Sequence, residues 1–89
     1  MKKTIIARHK VGGFATWLKG HQDRLDIFGP VMSSLKTFQD ANDPNSVVVI
    51  IEVTDMDKFG AILKDPFTND LKKKHTVLEP MTLSMEVEI

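Results

Sequence analysis

The 89-residue sequence contains no cysteine. That excludes a disulfide framework, a thiolate metal site, a redox dithiol and a cysteine nucleophile, and it fits a reducing compartment. Net charge is missing too. Twelve lysines and arginines cancel twelve aspartates and glutamates, so no global field draws nucleic acid or an anionic membrane surface. Long apolar runs are also absent. In Met1-Lys2-Lys3-Thr4-Ile5-Ile6-Ala7-Arg8 the apolar stretch ends at Ala7, whereas a signal peptide needs about 7–15 such residues and a spanning helix about 18 or more. The expectation is a cytoplasmic protein with no membrane partner.

What the chain does contain is a series of changes in hydrophobic period. Thr4 to Val11 alternates as a strand does, with Ile5, Ala7, His9 and Val11 on one side. Gly12-Gly13 breaks the strand, and from Phe14 the spacing turns helical through Trp17, Leu18, His21, Leu25 and Phe28. One helix is predicted to run to about Phe28. Gly29, suited to a left-handed C′ position, and Pro30, unable to continue the helix, then stop it. Ser34 to Gln39 reads as a second strand, Asp40 to Asn45 as a turn, and Val47 to Val53 as a third strand buried on both faces.

Thr54 and Asp55 offer caps for a second helix. Its apolar residues Met56, Phe59 and Leu63 continue past a break at Asp65-Pro66 to Phe67 and Leu71. Beyond Lys72-Lys73-Lys74, His75 and Pro80, the alternation of Leu83, Met85, Val87 and Ile89 with Thr82, Ser84, Glu86 and Glu88 predicts a last strand. The order is β-α-β-β-α-β in one domain over residues 1–89, an α+β, ferredoxin-like sandwich. A chain of this length buries somewhat over roughly 60% of its unfolded surface, so a partner subunit adds appreciably to its stability.

The two sheet faces differ in composition. The helix-covered face takes Ile5, Ala7, Leu35, Val47, Val49, Ile51, Val53, Leu83, Met85 and Val87. The other holds Ile6, Phe38, Val48 and Ile50 among Arg8, Lys36, Glu52, Glu86 and Glu88. That mixture is too apolar for a comfortable solvent face, which favours a homodimer joined through the sheets.

Several stretches resemble the dimeric α/β-barrel superfamily, which includes the antibiotic-biosynthesis monooxygenases. They are Trp17-x-x-x-His21, the segment from Ser34 to Asn45, the Val-rich strand ending Glu52-Val53, and the Pro66-Phe67 break. The resemblance implies two domains paired sheet to sheet, with a pocket between each sheet and its helices. It does not imply one activity, because the fold carries cofactor-free oxygenases, haem-degrading enzymes and lactone isomerases. The haem-degrading branch places its tryptophan on a strand and uses an asparagine. Here the tryptophan is on the first helix, and the first strand has no asparagine, so that activity is disfavoured.

His9, Trp17 and His21 form the candidate ligand site, with His9 and His21 as candidate catalytic bases. Strand parity turns His9 toward the helices, and helical period turns Trp17 and His21 toward the sheet. An imidazole titrates near neutral pH, and an indole stacks on planar substrates. A core tryptophan flanked by hydrogen-bonded histidines is the plainer alternative. The histidine spacing matches no metal-ligand pattern, and no flavin or other cofactor motif is present. Gly12-Gly13 reads as a strand-to-helix turn before it reads as an anion nest, and Lys72-Lys73-Lys74 as a solvated helix end. RNA-binding domains of this topology stack bases on strand aromatics, which Val47 to Val53 lacks.

Two functions remain open at this level. One is a small-molecule-binding barrel dimer, with cofactor-independent monooxygenase-like chemistry on a planar organic substrate. The other is a non-catalytic regulatory module similar to ACT domains, with its ligand near the Gly12-Gly13 turn.

Overall fold

Alternation in the strands sets the architecture. The computed structural model describes residues 2–87 and 89. In β3 (Ser46–Val53), Val47, Val49, Ile51 and Val53 are buried while Val48, Ile50 and Glu52 are half-buried. This strand is therefore fully buried on one face only, not both, because the helices cover a single side of the sheet. β1 (Lys3–Val11) buries Ile5, Ala7, His9 and Val11 on the same side, and β2 (Met32–Gln39) contributes Leu35. Full burial of one such aliphatic side chain contributes about 1.5–3 kcal/mol, so this face carries most of the core.

With β4 (Val77–Met85), the four antiparallel strands lie in the order β2-β3-β1-β4, the order of a ferredoxin-like α+β fold. The last strand differs from expectation at both ends. It begins at Val77, includes Pro80 and ends at Met85, so Val87 lies beyond it; Glu88 lies outside the described residues. Proline is tolerated because β4 is an edge strand and the register slips there. β4 goes from Thr82 to Leu78 while β1 goes only from Arg8 to Lys10, so His9 lies opposite a bulge containing Glu79, Pro80 and Met81. Leu83 and Met85 pair with Ala7 and Ile5 and share their face, yet they are 44% and 49% exposed because no helix covers that end of the edge strand.

The first helical segment is two helices, α1 (Phe14–Leu18) and α2 (His21–Phe28), separated at Lys19-Gly20. Nor does Gly29 adopt a left-handed conformation. Its φ is −48°, and the chain tightens into a 3₁₀ turn over Gly29–Val31, whose backbone suits Pro30. α3 (Met56–Lys64) is capped by Asp55, which accepts a hydrogen bond from the Lys58 amide at 3.1 Å. α4 (Pro66–Lys74) is capped by Asp65, which accepts from the Phe67 amide at 2.9 Å, with proline at the first helical position. Phe28 and Phe59 meet between α2 and α3 at 5.5 Å. Among the described residues no helix is long and apolar enough to cross a membrane.

Candidate functional site

His9 is held by its own strand. It is 6% exposed, and its Nδ1 lies 3.0 Å from the Lys10 carbonyl oxygen. A carbonyl only accepts, so Nδ1 carries the hydrogen and the neutral ring keeps its lone pair on Nε2. Burial pushes the pKa of His9 below its ordinary value, and the positive charges of Arg24 and Lys72 act in the same direction. Together they outweigh the opposing effects of the Lys10 carbonyl and Glu79. At neutral pH this imidazole is an uncharged base.

The indole of Trp17, 1% exposed, stands edge-on to His9 with ring centres 5.7 Å apart and planes at 75°. Both side chains line a cavity of about 90 Å³ between the sheet and the helices. Its walls are mostly apolar, with Ile27, Phe28, Leu35, Ile51 and Leu63 among them. On the β4 side it is bounded by Met81 and the exposed Leu83. The β4 bulge opposite His9 is what brings Met81 to this wall.

His21 does not line the cavity. The break at Gly20 makes it the first residue of α2, where its buried Nδ1 has no hydrogen-bond partner among the described residues. Two residues not anticipated from the sequence line the cavity instead. Arg24 lays its guanidinium over the Trp17 ring, 4.3 Å from the centroid, and donates from Nη2 to the Trp17 carbonyl oxygen at 2.9 Å. Trp17 is on α1 and Arg24 on α2, so their meeting depends on the break at Lys19-Gly20 and not on a shared helical face. His75, at the end of α4, is 6% exposed and pairs through Nε2 with Asp23 Oδ2 at 3.2 Å. No local pattern signals that meeting, which joins α4 to α2.

The glycine turn has no free amides to offer an anion. Gly12 N–H donates to the Thr76 carbonyl at 2.8 Å, and Gly13 N–H to Thr76 Oγ1 at 3.2 Å. Of the lysine run, Lys72 is not a solvated end. It lines the cavity and reaches Glu79 at 3.7 Å, whereas Lys74 lies 3.9 Å from Asp23. Among the described residues no group of three or more histidines and carboxylates is placed to hold a metal ion.

No family model and no curated protein matches the sequence. Solved structures do match. SnoaB, a cofactor-independent oxygenase from Streptomyces nogalater, superposes with a TM-score of 0.74 at 20% identity, over 99% of this chain and 93% of that one. An antibiotic biosynthesis monooxygenase gives 0.73 at 17% identity, over 100% and 99%. A Bordetella bronchiseptica protein provisionally named for the same group gives 0.78 at 14% identity, over 99% and 97%. The chain has the fold of the antibiotic biosynthesis monooxygenase structures. The likeness runs along the whole length of the chain, so the resemblance read from Trp17, the Ser34–Asn45 segment and the Pro66-Phe67 break extends to the complete architecture.

Proposed function

We propose that residues 1–89 act as one domain in a cytoplasmic homodimer joined through the sheet faces, and that each cavity binds a small planar organic substrate. The reaction is a cofactor-independent oxygenation with His9 as general base. The observation that carries this reading is His9 itself, a buried, uncharged imidazole of fixed tautomer on the wall of an apolar cavity beside Trp17. The fold shared with SnoaB, described as a cofactor-independent oxygenase, supports it.

The chemistry needs only a substrate whose acidic C–H or phenolic O–H ionises to a carbon nucleophile that still bears one hydrogen. His9 Nε2 takes that proton, and the resulting carbanion reduces dioxygen and forms a C–O bond as a peroxide. Return of the proton and loss of the second hydrogen with the distal oxygen release water and leave a carbonyl. One oxygen atom enters the product and one enters water. Trp17 offers an aromatic edge to the planar substrate, and the apolar walls exclude bulk water.

The alternative, a regulatory module, has its ligand at a subunit interface near the Gly12-Gly13 turn. The engagement of both amides by Thr76 argues against it.

The test is dioxygen uptake with a panel of single-ring phenols and enolisable cyclic ketones, comparing the protein with His9→Gln. Removing a general base is expected to lower turnover about 10²–10⁴-fold. No uptake from the panel, or equal uptake by His9→Gln, would contradict the proposal.

A further inference from the structure

Arg24 is more than the oxygenase reading requires. Its guanidinium is planar and fixed in place by stacking on Trp17 and by the Nη2 bond to the Trp17 carbonyl. Among the described residues its buried Nε has no hydrogen-bond partner, and no carboxylate lies within ion-pairing distance of it. Arg24 is half-buried, and its partial loss of hydration without an ion-pairing partner is destabilising; burial accordingly depresses the Arg24 pKa, with the field of Asp23 opposing. A binding site repays that cost when an anion arrives.

The rest of the cavity lining points the same way. Its other chargeable groups among the described residues are His9, Lys72 and His75, and none of the described aspartates or glutamates lines it. The two carboxylates closest to these groups are already engaged, Glu79 by Lys72 and Asp23 by His75 and Lys74. The cavity is thus basic in its polar groups and apolar everywhere else. A strongly hydrated inorganic ion would find too few donors there, whereas an apolar body carrying one oxyanion fits both kinds of wall. Size adds a limit. The volume of about 90 Å³ corresponds to roughly three water molecules and is below the ~150 Å³ that takes up benzene. On this volume a ligand of about one ring is already large and requires the walls to give way.

We propose that the ligand of this cavity is a small organic anion of about one ring, a carboxylate or enolate-type oxyanion, with the Arg24 guanidinium, held against Trp17, as its counter-charge. The proposal rests on the reading of the cavity as a ligand site and specifies the substrate class of that site. Under the oxygenase reading, Arg24 stabilises the same oxyanion that proton transfer to His9 creates.

Trp17 is the only tryptophan, so intrinsic fluorescence reports on this cavity alone. Benzoate and benzamide, nearly equal in shape and different in charge, are titrated against the protein, Arg24→Gln and Arg24→Lys. The expected result is at least tenfold tighter binding of benzoate by the unmodified protein. Arg24→Gln loses that preference by weakening benzoate and leaving benzamide little changed, and Arg24→Lys retains part of it. Equal binding of the two probes overturns the anion proposal and leaves the cavity a ligand site. Binding of neither overturns both. Circular dichroism checks the fold of each variant. Should Arg24→Gln not fold, the probe pair on the unmodified protein and on Arg24→Lys decides the matter.

Discussion

The imidazole of His75 occupies the space that a side chain at Gly20 would fill. A Cβ built on Gly20 would lie 2.6 Å from both Cε1 and Nδ1 of that ring. Gly20 is needed for space and not for conformation, since its φ of −81° is open to any residue. The neighbouring Thr76, at φ 61°, is held in the left-handed region by its bonds to Gly12 and Gly13. The end of α4 is thereby keyed against the Gly12-Gly13 turn and the Gly20 break. Gly20→Ala is expected to destabilise the protein by about 1–3 kcal/mol, read as a lower urea midpoint, because a rigid ring must give way. An unchanged midpoint would show that the His75 contact is loose.

His9 makes stability depend on pH in a defined sense. Its folded pKa lies below the ordinary value of 6.5, so between the two values the unfolded chain binds the proton more readily. Stability attributable to His9 is therefore full above the ordinary value, falls as pH drops through the window beneath it, and levels off once the folded pKa has been passed. Urea midpoints measured from pH 7.5 to 5 should fall more steeply for the protein than for His9→Gln. Parallel curves would mean that His9 is not held neutral by burial.

Trp17 is a packing residue as well as a wall of the cavity. It fills the core between α1 and β1 and supports Arg24 on its face. Trp17→Ala is expected to cost about 3–5 kcal/mol in chemical denaturation. Trp17→Phe should keep most of that stability while removing part of the Arg24 stacking.

Much of this fold was legible in the sequence because strands and helices advertise themselves through local period. Val47 to Val53 and Thr4 to Val11 are examples, and so is the Asp65-Pro66 restart of a helix. The lining of the candidate cavity was legible only where parity suffices, at His9 and Trp17. His21 was misplaced because a continuous helix would carry it onto the Trp17 face. The break that prevents this exists to seat His75, a residue 55 positions further along the chain than Gly20. Leu83 and Met85 follow strand alternation correctly, yet alternation cannot tell how far along an edge strand the helices reach.

On the outer face, Ile6 pairs with Ile50, and Val48 lies between Arg8 and Phe38, itself 47% exposed. A second copy placed on this face would cover all four apolar residues. Val48→Lys sets a second cation beside Arg8 and appears twice across a two-fold axis. The expected result in sedimentation is a shift from dimer to monomer, with affinity lowered by about a hundredfold or more. A monomeric unmodified protein would contradict the paired-sheet arrangement.

The protonation state of His9 in the presence of a ligand is the most direct test of the central claim. Long-range ¹H–¹⁵N spectra of the histidine rings at pH 7, with and without benzoate, read it directly. His9 is expected to be neutral, with hydrogen on Nδ1 and a lone pair on Nε2, and its ring signals to move when benzoate enters the cavity. A charged imidazolium, the opposite tautomer, or signals indifferent to benzoate would contradict it.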